Sequence, residues 1–180
     1  MIFHMSFGVG DPQRVAHVLA SLAGATAMRA PTPPFPQGAW FVVFGDAYGS
    51  MLEILPATAV LDPAAPLGVG QREATFEPVS AHVLIRSAAS AEAIEVAAQR
   101  EGWRTQQVET GLFKVFKLWI DGNILVEFLT APEAARYAAV FGAEGMPSLD
   151  GKLRELEANM ATALAGKLSP HLTQDEATNS

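Results

Sequence analysis

Two glutamates stand in the middle of apolar segments, where a carboxylate is out of place. Glu53 sits in SMLEILP and Glu127, seventy-four positions later, sits in NILVEFLT. A strand of that composition buries at least one face, and an unpaired buried carboxylate is costly unless it is protonated, paired or bound to a metal. An edge strand turned to water, or an ion pair, accounts for one such residue. Two in matching contexts point to a shared role. A pair of histidines repeats in the same way: His4 in FHMSFGV superposes on His82 in AHVLIRS at an offset of seventy-eight. Two imidazoles and two carboxylates suit a divalent first-row metal such as zinc, nickel, cobalt, manganese or iron, with positions left for water or substrate. The alternative is a polar pocket whose groups hydrogen-bond to one another.

Bringing these four residues together requires a duplicated chain, and the duplication extends beyond them. Aligning Glu53 with Glu127 lays AWFVVF (residues 39–44) over FKVFKL (113–118). It also sets Gly49 against Asn123, two residues that tolerate the left-handed conformation of a hairpin turn. The larger offset superposes Gly24 on Gly102, each just after a helical pattern, and the change of offset falls at the proline-rich stretch 30–38. Residues 2–9 alternate, with Phe3, Met5, Phe7 and Val9 on one face and His4, Ser6 and Gly8 on the other. Asp11-Pro12 opens a helix whose buried stripe is Val15, Val18, Leu19 and Leu22, and Gly24 ends it. A strand over 39–44, a turn and the Glu53 strand complete the first half. The second half repeats this order, with a strand over 81–86, a helix over 91–101 capped by Ser90, a short strand near 104–108 and a hairpin turning at Asp121-Gly122-Asn123.

The expected fold is therefore α+β: two pseudo-symmetric βαβββ modules, 2–56 and 78–130, forming a cupped mixed sheet. Period-two alternation puts His4, Glu53, His82 and Glu127 on its concave side. Residues 57–77, rich in Ala, Pro and Gly, read as a linker. Beyond them, residues 132–141 suggest a short helix, and Leu149, Leu153, Leu156, Met160 and Leu164 predict an amphipathic helix about four turns long. Together these make a helical extension, 131–168, of the same domain, serving as a lid over a sheet face or as a dimer interface. The polar stretch 169–180 reads as a frayed tail, which removes His171 from the ligand candidates. His17, at the edge of the first helix's buried stripe, reads as structural or solvent-facing.

Composition narrows the function classes. The 180 residues are 49% hydrophobic and 17% charged, as in ordinary globular proteins. No apolar run approaches the roughly 20 residues of a membrane span, and the N-terminus lacks a signal peptide's features, so a soluble cytoplasmic protein is expected. The absence of cysteine excludes disulfides, thiolate metal sites and cysteine nucleophiles. A net charge of −7 argues against nucleic acid or an anionic membrane as the main partner, which leaves a small-molecule substrate or ligand.

Over residues 2–130 the arrangement resembles the vicinal oxygen chelate superfamily, which includes glyoxalase I, bleomycin-resistance proteins, extradiol dioxygenases and methylmalonyl-CoA epimerases. FHMSFGVGDPQRVAHVLASLAG is similar to the family's opening strand and helix, and IDGNILVEFL to its turn-and-glutamate ending. By position, the resemblance implies that His4, Glu53, His82 and Glu127 are the metal ligands. With Glu53 as the fourth of them, the site resembles the glyoxalase I type more than the three-ligand type of the oxygen-using members. The resemblance further implies a divalent ion, zinc or nickel first, and a lyase or isomerase acting on a substrate with vicinal oxygens through an enediolate-type intermediate. Glu127 would be its base and Glu53 the partner carboxylate. A homodimer is implied too, its modules pairing within one chain or between two. The chain departs from the family in the proline-rich segment before Trp40 and in the long extension after Glu127. No set of arginines suited to clasping glutathione can be placed. Two other readings stay open. One is a ferrous extradiol-type dioxygenase, which needs further acid-base residues in the pocket. The other is a binding protein of the bleomycin-resistance type, walled by Trp40, Phe44, Phe113, Phe116 and Trp119.

Overall fold

The computed structural model describes residues 3–64, 69–74, 76 and 79–172. In chain order the first module holds β1 (His4–Val9), α1 (Pro12–Ala23), β2 (Thr26–Arg29), β3 (Trp40–Val43) and β4 (Met51–Pro56). The second holds β7 (His82–Arg86), α2 (Ala91–Glu101), β8 (Arg104–Glu109), β9 (Lys114–Ile120) and β10 (Ile124–Leu129). Each module forms its own four-stranded mixed sheet, in the orders β1-β4-β3-β2 and β7-β10-β9-β8. The first strand of each module pairs parallel with the last, and the other pairs are antiparallel. The repetition read from the sequence is thus a repetition of topology.

Local chemistry explains the helices. The Asp11 side chain caps α1 by accepting from the Arg14 N–H, with Pro12 at the first turn, and Ser90 caps α2 by accepting from the Ala93 N–H. Gly24 and Gly102 end the two helices at φ of 69° and 71°, the left-handed cap that costs other residues a clash. Val15, Val18, Leu19 and Leu22 are all buried, as their spacing predicts. They join one core cluster with Phe7, Val42, Leu52 and Ile54 of the first sheet and Ile85, Leu118, Val126 and Phe128 of the second. Polar straps tie the modules at the core's margin. Ser87 Oγ donates to Leu22 O at 2.8 Å, Gly10 N–H donates to Asp121 Oδ2 at 2.7 Å, and Arg14 reaches both Asp121 and Glu101.

Four details differ from the sequence expectation. β2 is the strand that the βαβββ order calls for but to which the sequence reading gave no residues, because TAMR is short, mostly exposed and shows no apolar alternation. The stretch 57–77 is not wholly a linker: β5 (Ala59–Leu61) and β6 (Val69–Gln71) pair as an antiparallel arm, and just after β5 Asp62 Oδ1 accepts from the Ala64 N–H. The superposition of 39–44 on 113–118 is out by two residues, since Phe41 lies opposite Glu53 while Lys117 lies opposite Glu127. A slip of two keeps every side chain on its face, so the periodicity could not reveal it. Finally, the positive-φ residues of the second hairpin are Asp121 (50°) and Gly122 (79°), and Asn123 is buried instead. Those two are the central positions of a turn closed by Asn123 N–H donating to Ile120 O at 3.1 Å.

The chain divides into two compact units, one of Met1–Thr110 with Lys114–Ala134, the other of Gly111–Phe113 with the chain from Ala135 on. Within the second unit, Tyr137 and Phe141 of α3 (Ala131–Phe141) meet the ring of Phe113 at centroid distances of 5.1 and 6.2 Å. A short 3-10 turn, Met146–Ser148, leads into α4 (Leu149–Leu172), which at 24 residues is longer than the stripe predicts and reaches past residue 168. Leu156 packs so closely on Gly111 that a Cβ there would come within 2.6 Å of its Cδ1. Leu149, Leu153 and Leu156 are half-buried, whereas Met160 is exposed; the Leu164 and His171 side chains and residues 173–180 lie outside the described residues. No helix is long and apolar enough to cross a membrane, among the described residues.

Candidate functional site

The two parallel strand pairs set the chemistry. His4 lies opposite Met51 on β4, and His82 lies opposite Leu125 on β10, which are matching places. Two residues further along each strand pair stand Glu53, opposite Ser6, and Glu127, opposite Leu84. Because alternate residues share a face, each histidine shares a face with the glutamate of its own module. The imidazole Nε2 of His4 is 3.9 Å from Glu53 Oε1, and that of His82 is 3.4 Å from Glu127 Oε2. Both carboxylates are well covered, with side chains 11% and 13% exposed, while the imidazoles are about half exposed, at 53% and 51%.

Each carboxylate is held at its second oxygen by a donor on the same face. Ser6 Oγ donates to Glu53 Oε2 at 2.5 Å. Lys117 Nζ stands 3.5 Å from Glu127 Oε1. These holders do not correspond: the register places Leu84 where the first module has Ser6, and Phe41 where the second has Lys117. Ser6 could have been found in the sequence, since it follows His4 by two and shares its face. Lys117 could not, because the two-residue slip in β3 against β9 hides which residue faces Glu127.

The four predicted ligands are brought together two by two. Among the described residues, no group of three or more His, Asp or Glu side chains is gathered so as to hold a metal ion. Within one chain, then, each module offers one imidazole nitrogen and one carboxylate oxygen. These are the donor types a divalent first-row ion takes, at half the number a four-coordinate centre needs. The two pairs fit such an ion as halves of a centre, not as a whole one.

The aromatic residues expected to wall a pocket mostly pack elsewhere. Phe116 is buried in the core, Trp40 and Phe44 pack against it, and Phe113 contacts Tyr137 and Phe141. Trp119, opposite Leu125, shares the face of Glu127. His17 is structural and solvent-facing, its ring 4.8 Å from that of Trp40 and its Nδ1 2.7 Å from Gln13 O.

No protein-family model matches the sequence, and no curated protein matches it. Several solved structures are similar to this chain at low identity. The fosfomycin resistance protein FosX from Mesorhizobium loti is 18% identical, with 77% of this chain and 97% of that one covered at a TM-score of 0.44. A possible glyoxalase from Bacillus cereus is 19% identical, with 72% and 97% covered at 0.41. A variant of FosX from Listeria monocytogenes, complexed with Mn(II) and 1S,2S-dihydroxypropylphosphonic acid, is 12% identical, with 71% and 87% covered at 0.44. The fold itself stands on the strand orders and registers above.

Proposed function

We propose that this chain is a cytoplasmic, metal-dependent lyase or isomerase whose centre is completed by a second copy of itself. The His4–Glu53 pair of one copy would face the His82–Glu127 pair of the other, giving a homodimer two equivalent centres. The observation that carries this reading is the division of four matched donors into two matched pairs, each on one face of its own sheet. A divalent ion held there would supply Lewis-acid polarisation of vicinal oxygens on a small substrate.

The chain's own residues would do the rest. Glu127 is the proposed base, taking a proton from a substrate carbon on the way to an enediolate-type intermediate. Lys117 pins one of its oxygens and leaves the other directed toward His82, so the carboxylate is oriented before substrate arrives. Glu53, pinned by Ser6, is the partner carboxylate. The two imidazoles, half exposed, are accessible donors at the rim of each pair. The dispersal of most of the aromatic residues into the core and the second unit makes an aromatic-walled binding protein the weaker reading, and among the described residues no further histidine stands at either pair to serve a dioxygenase.

A complementation experiment tests the assembly. A chain carrying His4→Ala and Glu53→Gln is co-expressed with one carrying His82→Ala and Glu127→Gln, and metal content is measured in the purified mixed dimer. If the centre lies between copies, each double variant alone loses its metal and the mixed dimer regains one intact centre. If the mixed dimer stays metal-free while the parent protein binds metal, the assembly between copies is wrong. A parent protein that binds no divalent ion would sink the metal reading altogether.

A further inference from the structure

A cavity of about 220 Å³ lies where the two modules adjoin, between β1, the β5–β6 arm and the first residues of β7 and β10. β1 and β7 are each the outer strand of their sheet, so the cavity borders an open edge of both. Its lining is mainly apolar, with Met5, Phe7, Ala57, Val79, Ala81 and Ile124 on its walls, and among the described residues no carboxylate belongs to it. Its polar members are engaged elsewhere or turned to water. The Ser6 hydroxyl is given to Glu53, and His82 stands beside Glu127. The Asn123 side-chain oxygen is buried and does not open into the cavity. Arg72 is exposed, where a guanidinium keeps its hydration while its stem covers apolar surface.

We infer that this cavity seats a compact, uncharged apolar group carried by the substrate, a phenyl ring or a branched alkyl group of similar size. Volume sets the scale: an apolar cavity of about 150 Å³ takes a benzene molecule, and this one leaves room for a short link beyond the ring. The lining sets the chemistry. An ionised group placed against Met5 and Ile124 would lose its water with no partner in return. His82 belongs both to the cavity wall and to the pair with Glu127, so the oxygen-bearing carbons attached to a seated ring lie toward the proposed base. As a substrate class the assignment rests on the function proposed above, whereas seating of the ring needs no metal.

Methyl NMR on the full, chelator-treated chain tests the seat with 1-phenyl-1,2-ethanediol, which joins a phenyl ring to two vicinal oxygens and carries no charge. It is expected to bind with a Kd of about 1 mM or tighter and to shift the methyl signals of Met5 and Ile124. Ethane-1,2-diol, which lacks the ring, should bind about ten- to hundredfold more weakly, the scale of burying an aromatic side chain. Ala81→Trp, at an exposed position, fills the cavity and should weaken the phenyl diol by about tenfold or more with an unchanged circular dichroism spectrum. Arg72→Gln should leave the affinity within about twofold. The seat is refuted if the phenyl diol does not bind or shifts other methyls instead, if the two diols bind alike, or if Ala81→Trp changes nothing. Benzoate binding more tightly than the phenyl diol, and losing that advantage in Arg72→Gln, would reveal an anion site and overturn the assignment. Ring binding that persists where the complementation experiment finds no metal would leave this seat standing and remove the metal centre; metal binding without ring binding would do the reverse.

Discussion

The two His–Glu pairs occupy the same places in their modules, yet they are secured by different means. In the first, a neutral hydroxyl from the opening strand holds Glu53; in the second, an ammonium from the third strand holds Glu127. A residue opposite a central strand position can come from either neighbouring strand, so a duplicated sheet can keep its donors in register while changing what supports them. The charge balance changes with the support. Glu53 with Ser6 carries one formal negative charge, while Glu127 with Lys117 carries none. A centre built from both halves therefore meets a cation with one negative charge, not the two its glutamates alone would bring.

The largest expected effect bears on which glutamate does the chemistry. Glu127→Gln should lower proton abstraction by about 10²–10⁴-fold, read as solvent-deuterium exchange into substrate, because a positioned base contributes on that scale. Glu53→Gln should cost clearly less, since an amide oxygen can still ligate; equal losses would erase the functional distinction between the pairs.

Next comes the core that the modules share. Ile54 and Phe128, both fully buried, occupy matching places beside the two glutamates. Phe128→Ala should destabilise the protein by about 3–5 kcal/mol and Ile54→Ala by about 2–5 kcal/mol in urea unfolding. Both variants should unfold in one transition, because both residues belong to one cluster. Two separated transitions would mean that the modules are independent.

Removing the holders should have smaller effects of opposite sign. Lys117→Met takes away a like charge 3.5 Å from a ligand oxygen and should raise divalent-ion affinity by about tenfold in a chelator competition. Ser6→Ala frees Glu53 to wander and should lower that affinity by a few-fold. Shifts of the same sign would show that the holders' charge is irrelevant.

The smallest effect concerns the hairpins that present the glutamates. In the first, the Ser50 N–H, its hydroxyl and the Tyr48 and Gly49 N–H groups hold the Asp46 carboxyl below the ordinary aspartate range, the Ser50 N–H most strongly. A lowered value means that the turn gains stability above the unfolded value, near 3.9, and loses it as pH falls through the folded one. Amide shifts of Tyr48 and Ser50 followed by NMR should report that loss, and Asp46→Asn should flatten the response.

Much of this architecture was legible in the chain. The caps at Asp11 and Ser90, the closing glycines and the stripe of Val15, Val18, Leu19 and Leu22 act within a turn or two of themselves, so their spacing suffices to read them. The same holds for the matched places of His4 and His82 and of Glu53 and Glu127, which follow from strand alternation once the duplication is seen. β2 and the β5–β6 arm were hidden because strands of three or four residues carry too few side chains to display a period.

Periodicity, capping and repetition are properties of neighbouring residues, and they suffice to write the pair of modules and the four matched polar residues into the chain. It took the tertiary structure to show that these residues meet two and two, that Lys117 holds Glu127, and that Arg72 and Asn123 line a common cavity. The first and third depend on how one module packs against the other, and the second on a strand register that a slip of two residues leaves invisible in the pattern. Contacts between residues distant in sequence are set by that packing and that register, and no local spacing encodes either.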